Sequence, residues 1–229
     1  MIIGPGYRGF FTKVNNPKIR KKSSNQWISR QLNDFYVVQS KINGYRSRSA
    51  YKLIEINNKF QLLKPEIKIV DLGAAAGGWS QVLAKITRSH SSKTEFNNIC
   101  AVDILDMKPI EGVTFLKGDF YEINTQNLIK KHFNFSKIDL IISDMAENTT
   151  GHQTTDHIRI IDLCEHALVF ALEMLKDNGH FICKIFRGCS ENSLIELLKN
   201  NFKTIKYFKP KSSRKESNEC YLIALNKKI

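Results

Sequence analysis

The sequence predicts an α/β fold: a mostly parallel, doubly wound seven-stranded sheet with helices on both faces and an antiparallel hairpin at its C-terminal end. Three observations point there. Short apolar runs alternate with segments of helical periodicity over most of the 229 residues, the pattern of a parallel sheet whose crossovers are helices. Acids stand at or beside the ends of successive runs, at Asp71, Asp103 and Asp144. The last two runs are joined too tightly for a crossover helix, so they form a hairpin.

Taken in order, residues 1–40 read as a basic arm with one short helix near 26–33, ahead of a single domain over 41–229. Residues 49–60 set Ala50, Leu53, Ile54, Ile56 and Phe60 at helical spacing. Pro65 ends the connection, and 67–72 is a buried strand running into glycines. A helix follows at 79–86, then strands at 98–102 and 114–116, a helix at 128–133 and a fourth strand at 138–143. The longest periodic segment is 159–175, with Gly179 as its stop signal. Strands at 180–186, 204–209 and 220–225 complete the seven, with a helix at 191–200 after the first of them. No internal repeat and no second domain are visible.

Composition narrows the function. Thirty-five Lys and Arg against twenty-two Asp and Glu give a net charge of +13, which favours a polyanionic partner through counterion release. The excess is concentrated at the front: ten basic residues precede Ser49 (Arg8, Lys13, Lys18, Arg20, Lys21, Lys22, Arg30, Lys41, Arg46 and Arg48), against the single acid Asp34. Tyr7, Phe10, Phe11, Trp27, Phe35, Tyr36 and Tyr45 are interleaved with them, offering faces on which unpaired bases can stack. For any one ring, docking on the core is the plainer reading. The five cysteines, Cys100, Cys164, Cys183, Cys189 and Cys220, form no CxxC pair and read as reduced thiols of a cytoplasmic protein. His152 and His157 lack the Cys or His partners of a zinc pattern, so no metal is expected. No apolar run approaches the roughly 20 residues that span a bilayer, so no membrane is expected either.

Ligands of such a sheet bind outside the carboxyl ends of the strands. The first strand leads into Asp71-Leu72-Gly73-Ala74-Ala75-Ala76-Gly77-Gly78-Trp79, whose small residues admit a ligand close to the backbone. Glycines at 73, 77 and 78 do not match the GxGxxG of a dinucleotide site. A cofactor without pyrophosphate and carrying a positive sulfonium suits the acids better. Asp103 is placed to accept from ribose hydroxyls, and Asp119, after the third strand, to meet an adenine amino group. Each of these aspartates alone would pass for a cap or a turn residue.

With those residues in view, the chain resembles the FtsJ/RrmJ family of RNA 2′-O-methyltransferases over about residues 46–225. The resemblance rests on ordered motifs: Arg46-Ser47-Arg48-Ser49-Ala50-Tyr51-Lys52-Leu53, Val70-Asp71-Leu72-Gly73 through Trp79-Ser80-Gln81, Gly118-Asp119-Phe120, Ser143-Asp144-Met145-Ala146, Lys184-Ile185-Phe186 and Ser212-Ser213-Arg214. It implies a Rossmann-like class I methyltransferase that uses S-adenosylmethionine and acts as a monomer. The family's Lys-Asp-Lys-Glu tetrad falls on Lys52, Asp144, Lys184 and Glu219. Its cofactor contacts fall on Gly77, Trp79, Asp103, Asp119 and Asp144. The implied substrate is a uridine ribose in large-subunit ribosomal RNA, on the assembled large ribosomal subunit. Transfer RNA is the first alternative, and a non-catalytic RNA-binding assembly factor the second. Ala76 and Glu147 stand where the family usually has proline, which loosens the cofactor loop and adds a carboxylate near the target nucleotide.

The chemistry suits those residues. Methyl transfer from a sulfonium is an in-line displacement that requires alignment and exclusion of water. A ribose hydroxyl is a weak nucleophile until its proton is removed or held. Lys184 lies in an otherwise largely apolar strand, where it must be paired. The neighbouring carboxylates favour its charged form, whereas Lys52 and the sulfonium favour the neutral amine. Proton acceptor and steering donor are both open at this point.

Overall fold

The computed structural model describes residues 21–88, 98–147, 150–187 and 191–229. Tyr7, Phe10, Phe11, Arg8, Lys13, Lys18, Arg20 and Cys189 lie outside the described residues. Helices α1 (Lys22–Asn33), α2 (Phe35–Ile42) and α3 (Ala50–Phe60) precede the first strand, β1 (Ile69–Leu72). Then come α4 (Gly78–Arg88), β2 (Ile99–Asp103), β3 (Thr114–Lys117), α5 (Ile123–His132) and β4 (Ile138–Ser143). The chain closes with α6 (Gln153–Met174), β5 (Leu175–Phe186), α7 (Asn192–Asn201), β6 (Phe202–Phe208) and β7 (Glu219–Lys227).

The seven strands are ordered β3-β2-β1-β4-β5-β7-β6. All pairings from β3 to β5 are parallel, and β7 runs antiparallel to both of its neighbours. Every residue of β1 is buried, as expected of a central strand covered on both faces. Val70 and Leu72 join a core closed by Ile129 of α5, Leu168 and Ala171 of α6, and Leu194 and Leu198 of α7. Ile69 joins the opposite core, with Leu53 and Ile56 of α3 and Val82 and Leu83 of α4.

The differences from the sequence reading have local causes. Helix α2 was not foreseen. It starts where Asp34 caps it, accepting from the N–H groups of Tyr36 at 2.9 Å and Val37 at 3.2 Å. Helix α5 starts at Ile123 rather than 128, because its buried stripe is narrow, with Thr125 and Ile129 inward and Ile123 and Leu128 exposed. Gly179 is not a helix stop: α6 ends at Met174 and β5 begins at once. The polar residues that follow sit in an irregularity of the β4–β5 register, with Asn178 at φ 59°. The expected hairpin is present as β6 and β7, and its second strand also inserts beside β5.

One glycine couples the ends of the central strands. Gly73, at φ 76°, lies so near the chain after β4 that a Cβ would stand 2.7 Å from the backbone nitrogen of Met145 and 2.8 Å from its Cα. Gly73→Ala is therefore expected to cost about 2 kcal/mol or more from backbone strain plus overlap. A urea midpoint equal to that of the unaltered protein would contradict this close approach.

Candidate active site

The acids of the sequence reading separate into two kinds. Asp103 ends β2, Asp119 follows β3, and Asp144 follows β4, so these three mark the carboxyl edge of the sheet. Asp71 lies within β1 and is wholly buried, so it is not an acid of the crevice. Its Oδ2 accepts from the Ser80 hydroxyl at 2.6 Å, and Oδ1 has no hydrogen-bond partner among the described residues. Burial pushes this carboxyl up to about 7.

The loop after β1 is tied to β2 backbone by backbone. The N–H groups of Gly73 and Ala74 both donate to the Val102 carbonyl, and that of Ala75 donates to Asp103 Oδ2 at 2.8 Å. Asp103 Oδ1 accepts from Leu105 N–H at 2.8 Å, which orients a partly exposed carboxylate with lone pairs to spare. Asp119 is exposed and accepts from Tyr121 N–H at 2.9 Å. Gly77 takes φ 103°, and a Cβ there would stand 2.9 Å from Nη1 of Arg46. That guanidinium donates to the carbonyls of Lys108 at 2.6 Å and Pro109 at 2.7 Å and reaches that of the exposed Ala76 at 3.5 Å, so it ties the loop after β1 to the segment after β2. The Trp79 side chain is buried, with its indole N–H on the Ser49 carbonyl at 2.9 Å. Only its backbone is available to a ligand.

Four charged side chains from distant parts of the chain meet at the other end of this edge. Lys184 of β5 donates to the Asp144 carbonyl at 2.6 Å and stands 3.0 Å from Asp144 Oδ1. Lys52 of α3 stands 2.8 Å and 2.9 Å from the two oxygens of Glu219, the first residue of β7. Register explains the convergence, because Lys184 pairs with Tyr221 and Phe186 with Glu219 across β5 and β7. Sequence reasoning missed two further members. The buried Tyr221 hydroxyl donates to Asp144 Oδ1 at 2.8 Å, and Ser213 Oγ donates to Glu219 Oε1 at 2.9 Å. A tyrosine amid an apolar strand was the available signal for the first.

Charge is settled collectively here. Burial works against the Lys52 ammonium, but Asp144 and Glu219 outweigh it and raise its pKa. Burial likewise opposes the Asp144 carboxylate, yet Lys184 and Lys52 hold it below the usual range. Burial, then Asp144, pushes the Tyr221 hydroxyl well up, so it stays a donor. Glu147, just beyond Asp144, is paired with Arg159 of α6 at 3.1 Å, which offsets the carboxylate that the sequence placed near the target.

Known proteins share this arrangement of sequence. The profile of the FtsJ-like methyltransferase family matches residues 45–227. Over 223 residues the chain is 54% identical to the ribosomal RNA large subunit methyltransferase E of Rickettsia akari and 52% identical to that of Rickettsia felis, covering 97% of this chain and 97% of each relative. The crystal structure of a ribosomal RNA methyltransferase from Plasmodium falciparum gives a TM-score of 0.70 at 33% identity, covering 80% of this chain and 98% of that one.

The buried Asp71 makes stability depend on pH with a definite sign. Unfolded, the group ionises near its ordinary 3.8; folded, it ionises near 7, so between these values the folded state holds the extra proton. Stability from this group is present below the first value and is lost as pH rises through the second. Asp71→Asn removes the titration. Unfolding measured from pH 4 to pH 8 is expected to move in the variant's favour as pH rises, and a constant difference would contradict this.

Proposed function

Because the chain belongs to the FtsJ-like methyltransferase family, we propose that it transfers a methyl group from S-adenosylmethionine to the 2′-hydroxyl of a uridine ribose in large-subunit ribosomal RNA. The observation that carries the reading is Lys184, buried in β5 and held by Asp144 beside the Lys52–Glu219 pair. The choice of RNA is supported by the curated relatives, which share more than half of their residues with this chain and are named for methylation of the large ribosomal subunit. In this reading the protein acts as a cytoplasmic monomer. The segment over 1–40 is an RNA-binding arm and 41–229 the methyltransferase domain.

The residues fit this cofactor. The loop from Gly73 to Gly78 carries no bulky side chain above the carboxyl ends of β1 and β2, and its glycines are spaced unlike those of a pyrophosphate cradle. Asp103 is oriented to accept ribose hydroxyls, Asp119 to meet the adenine amino group, and the backbone from Gly77 to Trp79 to approach the remainder. In the strand order Asp144, after β4, stands between these residues and Lys184 of β5, and its carboxylate would suit a positive sulfonium. The cofactor supplies an electrophilic methyl group.

The protein's own part is to hold the acceptor and its proton. The 2′-oxygen gains a methyl group as it loses its proton, so the enzyme must keep that proton directed away from the incoming carbon. Lys184 Nζ has its position fixed by the carbonyl and carboxylate of Asp144, both of which accept from it. Having given up one proton, the amine still serves both oxygens with its two N–H groups and offers its lone pair to the 2′-proton, which it takes up as the methyl group bonds to the oxygen. Lys52, gripped by both oxygens of Glu219, braces the ribose from the second side.

Two measurements test this. Lys184→Ala is expected to slow single-turnover transfer by about 10²- to 10⁴-fold while cofactor affinity is little changed. Normal transfer by that variant would remove the proposed centre. Mapping of 2′-O-methyl marks with and without the gene is expected to show one uridine mark lost from large-subunit ribosomal RNA. Loss from transfer RNA instead would overturn the substrate, and no loss from any RNA would favour a silent binding factor.

A further inference from the structure

We propose that Arg48 and Glu55 are positioning residues that clasp the connection over residues 210–218 to α3 and so hold the Lys52–Glu219 pair beside Lys184. The inference rests on reading those charged residues as the reaction centre. Arg48, Lys52 and Glu55 follow the i, i+4, i+7 spacing of one helical face, with Arg48 in the turn that leads into α3. All three grip the connection between β6 and β7 or its end. Arg48 donates to the Ser212 carbonyl, and Lys52 pairs with Glu219. The Glu55 carboxylate accepts from the backbone N–H groups of Lys211 at 2.5 Å and Ser212 at 2.9 Å. The other arm of the Arg48 guanidinium donates to Asp34, the residue that caps α2.

A carboxylate bonded to two consecutive backbone N–H groups fixes the direction of a chain as well as its position. The effect reaches the reaction centre within a few residues. Ser213 follows Ser212 directly and donates to Glu219 Oε1, and Glu219 holds Lys52 through both of its oxygens. The clasped connection also carries Lys211, Arg214 and Lys215, whose like charges repel one another. Without Arg48 and Glu55, among the described residues only the Lys52–Glu219 pair would tie the end of this connection to α3 by charge. Glu219 would then be free to drift by about an ångström, enough to misalign a reacting group.

The test compares full-length Arg48→Ala, Glu55→Ala and Glu55→Gln, each alone and combined with Lys52→Met, with Lys184→Ala alongside. Single-turnover transfer to large subunits from cells lacking the gene is measured with S-adenosylmethionine, together with cofactor affinity and Tm. The clasp variants are expected to slow transfer by about tenfold to a hundredfold at unchanged cofactor affinity, with Glu55→Gln the mildest. In the Lys52→Met background the same substitutions are expected to add little, because they act through Lys52. Glu55→Gln keeps one acceptor and decides the matter if an alanine variant does not fold. Wild-type rates in the clasp variants beside an inactive Lys184→Ala overturn the clasp and leave the reaction centre standing. Fully additive losses in the Lys52→Met background also overturn it, since they would mark a general loosening of the fold. A Lys184→Ala protein as fast as wild type overturns the reaction centre, and the clasp with it.

Discussion

A lysine that is 7% exposed in the apolar run over 181–186 has to be compensated where it stands, and most of this edge of the protein follows from that requirement. Taking an ammonium out of water costs several kcal/mol, and a single carboxylate offsets that only with good geometry and further hydrogen bonds. Asp144 meets both conditions by presenting its carbonyl and its carboxylate to the same nitrogen. The carboxylate then needs partners of its own, which Tyr221 supplies by hydrogen bond and Lys52 by charge. Lys52 in turn is compensated by Glu219. Each buried charge is tolerable because of the next, so the four cannot be explained one at a time.

The sheet topology makes such a chain of compensation possible. Asp144 lies at the carboxyl edge because β4 is parallel to β1 and β5, with Ser143 in register with Cys183. Lys184 follows Cys183 directly and points toward this edge. An antiparallel β7 between β5 and β6 runs back from the same edge, so its first residue, Glu219, arrives where its neighbours leave. Had β7 been parallel, Glu219 would have entered at the opposite end. Strand β7 is thus the element that brings Glu219 to the edge where Asp144 and Lys184 stand.

Much of this was legible in the residues, and the unread part has a physical pattern. Apolar runs marked the central strands most plainly, because strands buried on both faces leave no ambiguity of face, whereas the edge strands β3 and β6 are only partly buried. Glu219 and Lys52 came from motif resemblance alone, since nothing in spacing joins residues so far apart in sequence. Asp71 shows the limit of reading acids by position: it and Asp103 both flank apolar runs, but a single residue of strand length separates a buried carboxyl from a crevice one. Helix α2 was hidden because five of its eight residues are apolar or aromatic without a clean stripe, and its cap, Asp34, was counted as a stray acid in a basic arm. Tyr221 and Ser213 could be seen but not assigned, because their roles are set by the partners they meet and not by their neighbours in sequence.

The same distinction applies to charge. A net +13 suggests a polyanion, yet several of the cations that produce it are committed inside the protein. Arg46 gives its guanidinium to the carbonyls of Lys108 and Pro109, Arg48 to Asp34 and the Ser212 carbonyl, and Lys209 to the carbonyls of Lys215 and Ser217. A carbonyl partner fixes a cation without cancelling its charge. Arg46 and Lys209 therefore still contribute to the long-range field that draws a phosphate backbone, while their donors are occupied by the fold. Arg48, neutralised by Asp34, contributes to neither. Two arginines separated by one residue in a basic segment thus do different work. Arg46 stiffens the loop before α4 and keeps its charge, whereas Arg48 is neutralised by Asp34 and ties the turn before α3 to Ser212. Counting basic residues measures attraction to a polyanion; only their partners reveal which of them also hold one segment of the fold against another.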